Sequence, residues 1–192
     1  MVDSSGNGND GTATSNVTLV TGVSGQAYNF NPATGESYVT VPDSDSLDPG
    51  TQDISFSSWV NFQAIPDTDY NVVRKGLGRA AGGYYKMEIK SRLVNDVKVA
   101  KARCQFKDGT KTTSSLMAKP TLSLNTWYKL TCTKTASSIQ IKVEGGGVNR
   151  TQTKSISLGS ISNGSTLTIA RNEDGDDQYG GFIDETTVTI GG

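Results

Sequence analysis

Asp53-Ile54-Ser55-Phe56-Ser57-Ser58-Trp59-Val60-Asn61-Phe62 is the clearest strand in the chain. Strand side chains alternate faces. Ile54, Phe56, Val60 and Phe62 therefore share one face with Ser58, and Ser55, Ser57, Trp59 and Asn61 share the other. An apolar face opposite a polar one is the pattern of a half-buried strand. Trp59, on the polar side, is a candidate sugar-stacking platform or a cover for an adjoining sheet.

The pattern repeats on either side. Val17–Thr21, Gln26–Phe30 and Glu36–Val41 read as short strands before it, with Gly and Pro between them. Tyr84–Lys90, Val97–Phe106 and Trp127–Thr133 follow, and then the pairs around Ile139 and Val143, Ile156 and Leu158, and Leu167 and Ile169. The 22 glycines fall mostly between these runs, and helix-forming stretches are scarce. The expectation is an all-β fold in one domain over residues 1–192, long enough for a proper core. Arg74 to Gly83 is Gly-rich and basic and superficially matches a dinucleotide fingerprint. That motif needs a helix next, and a strand follows, so the nucleotide reading is rejected.

Histidine is absent, which removes His-dependent triads, Cys–His dyads and His-ligated zinc. The net charge of -1 and pI near 5.4 do not suggest a nucleic-acid binder. No apolar run approaches a membrane span. No leader follows Met1. The expectation is either a removed leader or release without secretion, as for a virion component freed by lysis.

Asn172 to Glu185 joins an acidic loop to the last strand. Strict alternation places Asp184 on one face with Phe182, Val188 and Ile190, so its carboxylate is expected to point into the core. A buried carboxylate must be paired, hydrogen-bonded or metal-bound. Asp174, Asp176 and Asp177 lie just upstream, and Asn9 and Asp10 in the Asn/Gly-rich opening loop add oxygens. The set suits calcium, which takes six to eight oxygen ligands in flexible geometry. The alternative is that Asp184 accepts backbone N–H groups and the loop is simply solvated.

Cys104 points with Ala100, Ala102 and Phe106, and Cys132 with Tyr128 and Leu130. If those strands are adjacent, a disulfide is geometrically reasonable and implies an oxidising exterior. Two buried thiols are the other reading. Tyr84 and Tyr179 join Trp59 as candidate ligand-binding aromatics, with Tyr70, Tyr85 and Trp127 behind them. Glu88 stands alone on its face with Tyr84 and Lys86, so the paired carboxylates of a glycosidase are not evident.

In order along the chain, Asp3-Ser4-Ser5-Gly6-Asn7-Gly8-Asn9-Asp10-Gly11-Thr12, Ser55-Phe56-Ser57-Ser58-Trp59-Val60 and Gly82-Gly83-Tyr84-Tyr85-Lys86 resemble the laminin-G-like, concanavalin-A-like jelly-roll family. Cys104, Asn125-Thr126-Trp127-Tyr128, Cys132 and Gly181-Phe182-Ile183-Asp184-Glu185 extend the resemblance. The paired-cysteine form resembles modules of actinobacterial exported proteins and their phages. The resemblance implies a two-sheet antiparallel sandwich. It also implies calcium or glycan binding in some members and protein contacts in others. Members usually begin with an extra strand that is not evident here, which implies an edge open to a partner or to self-association. The resulting expectation is a non-catalytic adhesion module for a glycan or cell-surface polymer, extracellular or on a virion. The alternative is a virion structural protein docking on capsid or tail proteins, and a polysaccharide-degrading enzyme ranks behind both.

Overall fold

The computed structural model describes residues 1–191. Among them the chain forms fourteen strands and no α-helix. In chain order these are β1 (Thr12–Ala13), β2 (Thr18–Thr21), β3 (Gln26–Phe30), β4 (Val39–Val41), β5 (Ile54–Phe62), β6 (Asp69–Lys75) and β7 (Gly83–Val94). Then come β8 (Val97–Asp108), β9 (Thr113–Met117), β10 (Tyr128–Lys134), β11 (Ser138–Gly145), β12 (Val148–Ser155), β13 (Leu167–Ile169) and β14 (Gly181–Ile190).

They build two seven-stranded antiparallel sheets, the architecture that the family resemblance implied. One sheet runs β1-β4-β13-β6-β7-β8-β9, and the other runs β12-β11-β10-β5-β14-β3-β2. β5 lies at the centre of the second sheet. Ile54, Phe56, Val60 and Phe62 are buried, as is Ser58 between them. Facing them from the first sheet are Tyr85, Met87 and Ile89 of β7 and Ala100, Ala102, Cys104 and Phe106 of β8, all fully buried. The rings of Phe56 and Tyr85 meet at 5.1 Å and those of Phe56 and Phe106 at 5.8 Å, so aromatic contacts join the sheets through the core.

Cys104 and Cys132 form a disulfide with Cα atoms 5.6 Å apart. The cysteines are not on paired strands. β8 and β10 lie in opposite sheets, and the bridge crosses the core between them. Alternation aimed both thiols correctly, and only the geometry of the pairing differs.

The last strand departs from strict alternation. Its pairing with β5 shifts register between Asp184 and Thr187. Glu185 takes a positive φ of 48°, and Thr186 Oγ1 reaches Ser58 Oγ at 2.9 Å. This is a β-bulge. It puts Ile183 and Val188 on the same inward face, although one is odd-numbered and the other even. Phe182 and Asp184 therefore point away from the core, opposite to the expectation. A second shift, between Asn71 and Val73 in β6, likewise puts Asn71 and Arg74 on one face.

Candidate ligand-binding face

Positions on a buried sheet's outer side usually hold solvated charges. On the first sheet, however, the outer-facing residues of β6 and β7 are themselves buried: Asn71, Arg74, Tyr84, Lys86 and Glu88. The ladders set them in rows. Asn71 stands beside Glu88 and Glu88 beside Arg103, while Arg74 stands beside Lys86 and Lys86 beside Gln105. The next positions bring Asp69, Lys90 and Lys101 together at one end and Tyr84 with Lys107 at the other.

Glu88 is fully buried and forms ion pairs with Lys86 and Arg103. Neither of its oxygens has an aligned hydrogen bond, and Arg103 Nε also lacks a partner. Burial lowers the pKa of Lys86, against the pull of Glu88. The Arg74 guanidinium lies over the Tyr84 ring at 5.5 Å, while its Nε donates to the Gly76 carbonyl at 2.8 Å. The side chains are thus fixed by one another before any ligand arrives. Arg74, Lys86, Lys90, Lys101, Arg103 and Lys107 outnumber Asp69 and Glu88 on these strands, so the face is cationic.

The acidic loop closes one end of this face. Asp177 accepts Asn71 Nδ2 at 2.8 Å and Asn172 Nδ2 at 3.3 Å. Its carboxyl also hydrogen-bonds to that of Asp69. Burial, then Asp69, pushes Asp177 up to about 6. Burial works against Asp69 too, but the Asp177 proton and Lys90, at 2.8 Å, outweigh it and hold Asp69 down to about 2. Below pH ~6 the two carboxyls share a proton. Glycosidase carboxylates stand roughly 5 Å or more apart, so this contact is too close for that role.

The residues expected to ligate calcium lie in separate places. Asp184 Oδ2 accepts Val23 N–H at 2.8 Å and Ser24 N–H at 3.2 Å, and its Oδ1 accepts Glu185 N–H at 2.8 Å. Asp174 grips Arg79 with two bonds of 2.7 and 2.6 Å. Asp176 is exposed, and its backbone N–H donates to Asn172. Asp10 accepts Asp3 N–H at 2.7 Å, and the Asn9 side chain is bonded to Ser46. Among the described residues no group of three or more acids converges on a cation-sized space. As placed, the expected set does not make one calcium cage.

The aromatic candidates also separate. Tyr84 belongs to the charged face. Trp59 is half-buried on the outer side of the second sheet, next in register to Lys129 and Asp184. Trp127 packs on Phe182 there at 6.3 Å. Tyr179 must be withdrawn as a ligand-binding residue, because it is fully buried, with its ring against Phe30 and Tyr70 and its hydroxyl on the Phe182 carbonyl. Tyr85 is likewise core. The basic Arg74–Gly83 loop reaches an acidic group of its own chain, through Arg79 and Asp174.

The profile of the concanavalin A-like lectin/glucanases superfamily matches residues 33–189. The chain belongs to that superfamily. No curated protein sequence matches it. Among solved structures it is similar to the binding domain of botulinum neurotoxin serotype G, with TM-score 0.73 and 15% identity over 99% of this chain and 45% of that one. It is also similar to domain 4 of AbnA, a GH43 extracellular arabinanase from Geobacillus stearothermophilus, in complex with arabinotriose. There the TM-score is 0.66 and the identity 16%, over 98% of this chain and 86% of that one. A third is the enzymatically active domain of bacteriophage CBA120 tailspike protein 2, with TM-score 0.67 and 12% identity over 95% of this chain and 28% of that one. At these identities the likeness is one of fold, and the chain spans under half the length of the toxin domain.

Proposed function

We propose that this superfamily member is a non-catalytic module, exposed outside the cell, that binds glycans bearing carboxylate or sulfate groups. The observation that carries this reading is the fixed cationic platform of Arg74, Lys86 and Arg103 around Glu88, with Tyr84 alongside. Glycan recognition needs polar groups held in place beforehand and a π-face for a sugar ring. The platform supplies the fixed polar groups, its excess of cations favours an acidic ligand, and Arg74 already covers the Tyr84 ring. The inter-sheet disulfide supports an oxidising location.

Binding to an array of neutral and acidic glycans tests this. Acidic glycans should be retained, and Arg103→Gln should weaken retention by at least ~10-fold, about 1.4 kcal/mol. No retention of any glycan, or release of new reducing ends from a polysaccharide, would overturn it. A docking role, as on a virion, draws on a different feature, the free edge of β14.

A further inference from the structure

β14 is paired on both sides only at its start. β3 accompanies Gly181, Phe182 and Ile183, while β5 continues alongside to Ile190. Beyond Ile183 the β2–β3 turn bends across to the Asp184 carboxylate and leaves the strand. The hydrogen-bond phase of the remaining ladder is set by Gly191 N–H, which donates to the Asp53 carbonyl. In an antiparallel pair, residues alternate between bonding their partner and pointing away. Thr189 and Thr187 are therefore bonded to β5, and Val188 and Ile190 aim their N–H and C=O groups outward. Among the described residues, no donor or acceptor meets those four groups.

This edge opens on a cleft of about 470 Å³ between the sheets. Leu47, Leu167, Ile169 and Ile183 supply apolar lining, and Val188 lies at its lip. The charged groups on the lining residues are the carboxylates of Asp3, Asp184 and Glu185 and the Met1 ammonium, with no Lys or Arg among them. Unpaired strand edges are templates for another strand. Here the template also has an apolar floor for every second side chain of the incoming segment, and an acidic rim.

We propose that the free edge of β14 takes up one extended segment of a partner protein, added as a strand to the second sheet. The segment would place alternate aliphatic side chains into the cleft and carry Lys or Arg beside them. Main-chain bonds to Val188 and Ile190 supply affinity, and the cleft supplies selectivity. This does not rest on the glycan-binding reading, because the edge and the cationic face belong to different sheets.

The test uses a fluorescent nonapeptide of alternating valine and threonine, flanked by lysines. It should bind the wild-type chain, and Val188→Pro should weaken it by at least ~10-fold. Proline there removes an outward N–H and leaves the β5 ladder whole. Amide exchange of the wild type gives a second readout that does not depend on the variant folding. Val188 and Ile190 should exchange freely alone and slow at least ~10-fold with peptide. Slow exchange in the free protein, unchanged affinity in Val188→Pro, no binding, or closure of the edge by a second copy in sedimentation would overturn the proposal.

Discussion

Asp184 Oδ2 accepts the Val23 N–H at 2.8 Å, tying the bulge of β14 to the turn between β2 and β3. The contact joins residues 161 positions apart. It also explains Gly22, where a Cβ would collide with the same carboxylate oxygen and with the Ala27 nitrogen. A buried carboxylate spent on three backbone donors is a structural device.

Asp184→Ala strands those donors. We expect a loss of ~2–3 kcal/mol and a melting point lower by roughly 5–10 °C. Because the carboxylate is already occupied, the loss should be the same in calcium and in chelator. A melting point that rises with calcium in the wild type but not in the variant would restore a metal at this residue.

How far this was readable is clearest in β14 itself. Alternation correctly sends Val188 and Ile190 inward, but it cannot see the bulge, which reverses the face of Phe182 and Asp184. β6 was missed for the same reason, since its bulge and its buried Asn71, Arg74 and Lys75 look like a polar loop. β12 was missed because it is an edge strand with no fully buried residue. By contrast, β5, β8 and β10 keep strict period two, and their core residues were legible. The charged face was half legible. Tyr84, Lys86 and Glu88 share a face by spacing alone, but Arg74 and Arg103 join them only through register between strands. Tyr179 sits singly in an acidic loop, and no period marks it as core.

Asp177 should make stability depend on pH. Its pKa is raised in the fold to about 6, so it holds its proton more tightly folded than unfolded. Its stabilising contribution is whole below pH ~4 and is lost as pH rises through ~6. Asp69 runs the other way: its contribution is present above pH ~4 and is lost as pH falls towards 2. Asp177→Asn keeps a donor for Asp69, removes the like charge and suits the positive φ of 56°. Both carboxyls reach solvent in part, so the gain is screened to ~1 kcal/mol. Melting curves should coincide near pH 4, with the variant ~2–4 °C higher at pH 7. A wild type as stable at pH 7 as at pH 4, with no gain in the variant, would refute the shared proton.

Reduction of the Cys104–Cys132 bridge should destabilise the sandwich without changing its topology. The cysteines are 28 positions apart, which on the loop-entropy account is worth ~3–4 kcal/mol. Melting with reductant should fall by roughly 8–14 °C. Intact mass after denaturing alkylation should show no added groups until reductant is present. Two alkylated thiols without reductant would remove the bridge and the oxidising location it supports.

Glu88 and Lys107 should separate scaffold from recognition on the cationic face. Glu88 is fully buried between Lys86 and Arg103, and its removal leaves two cations without their counter-charge. Breaking a buried pair from one side costs ~3–5 kcal/mol. Glu88→Ala should therefore lower the melting point by roughly 6–20 °C. Lys107 stands at the rim beside Tyr84 and donates to the Gly78 carbonyl at 2.6 Å. A rim cation contributes little to folding, but it steers and holds an anionic ligand. Lys107→Gln should leave the melting point within about a degree and weaken acidic-glycan binding several-fold, more so at low salt. If Lys107→Gln alters stability as much as Glu88→Ala does, or changes acidic-glycan binding not at all, the face is scaffold alone.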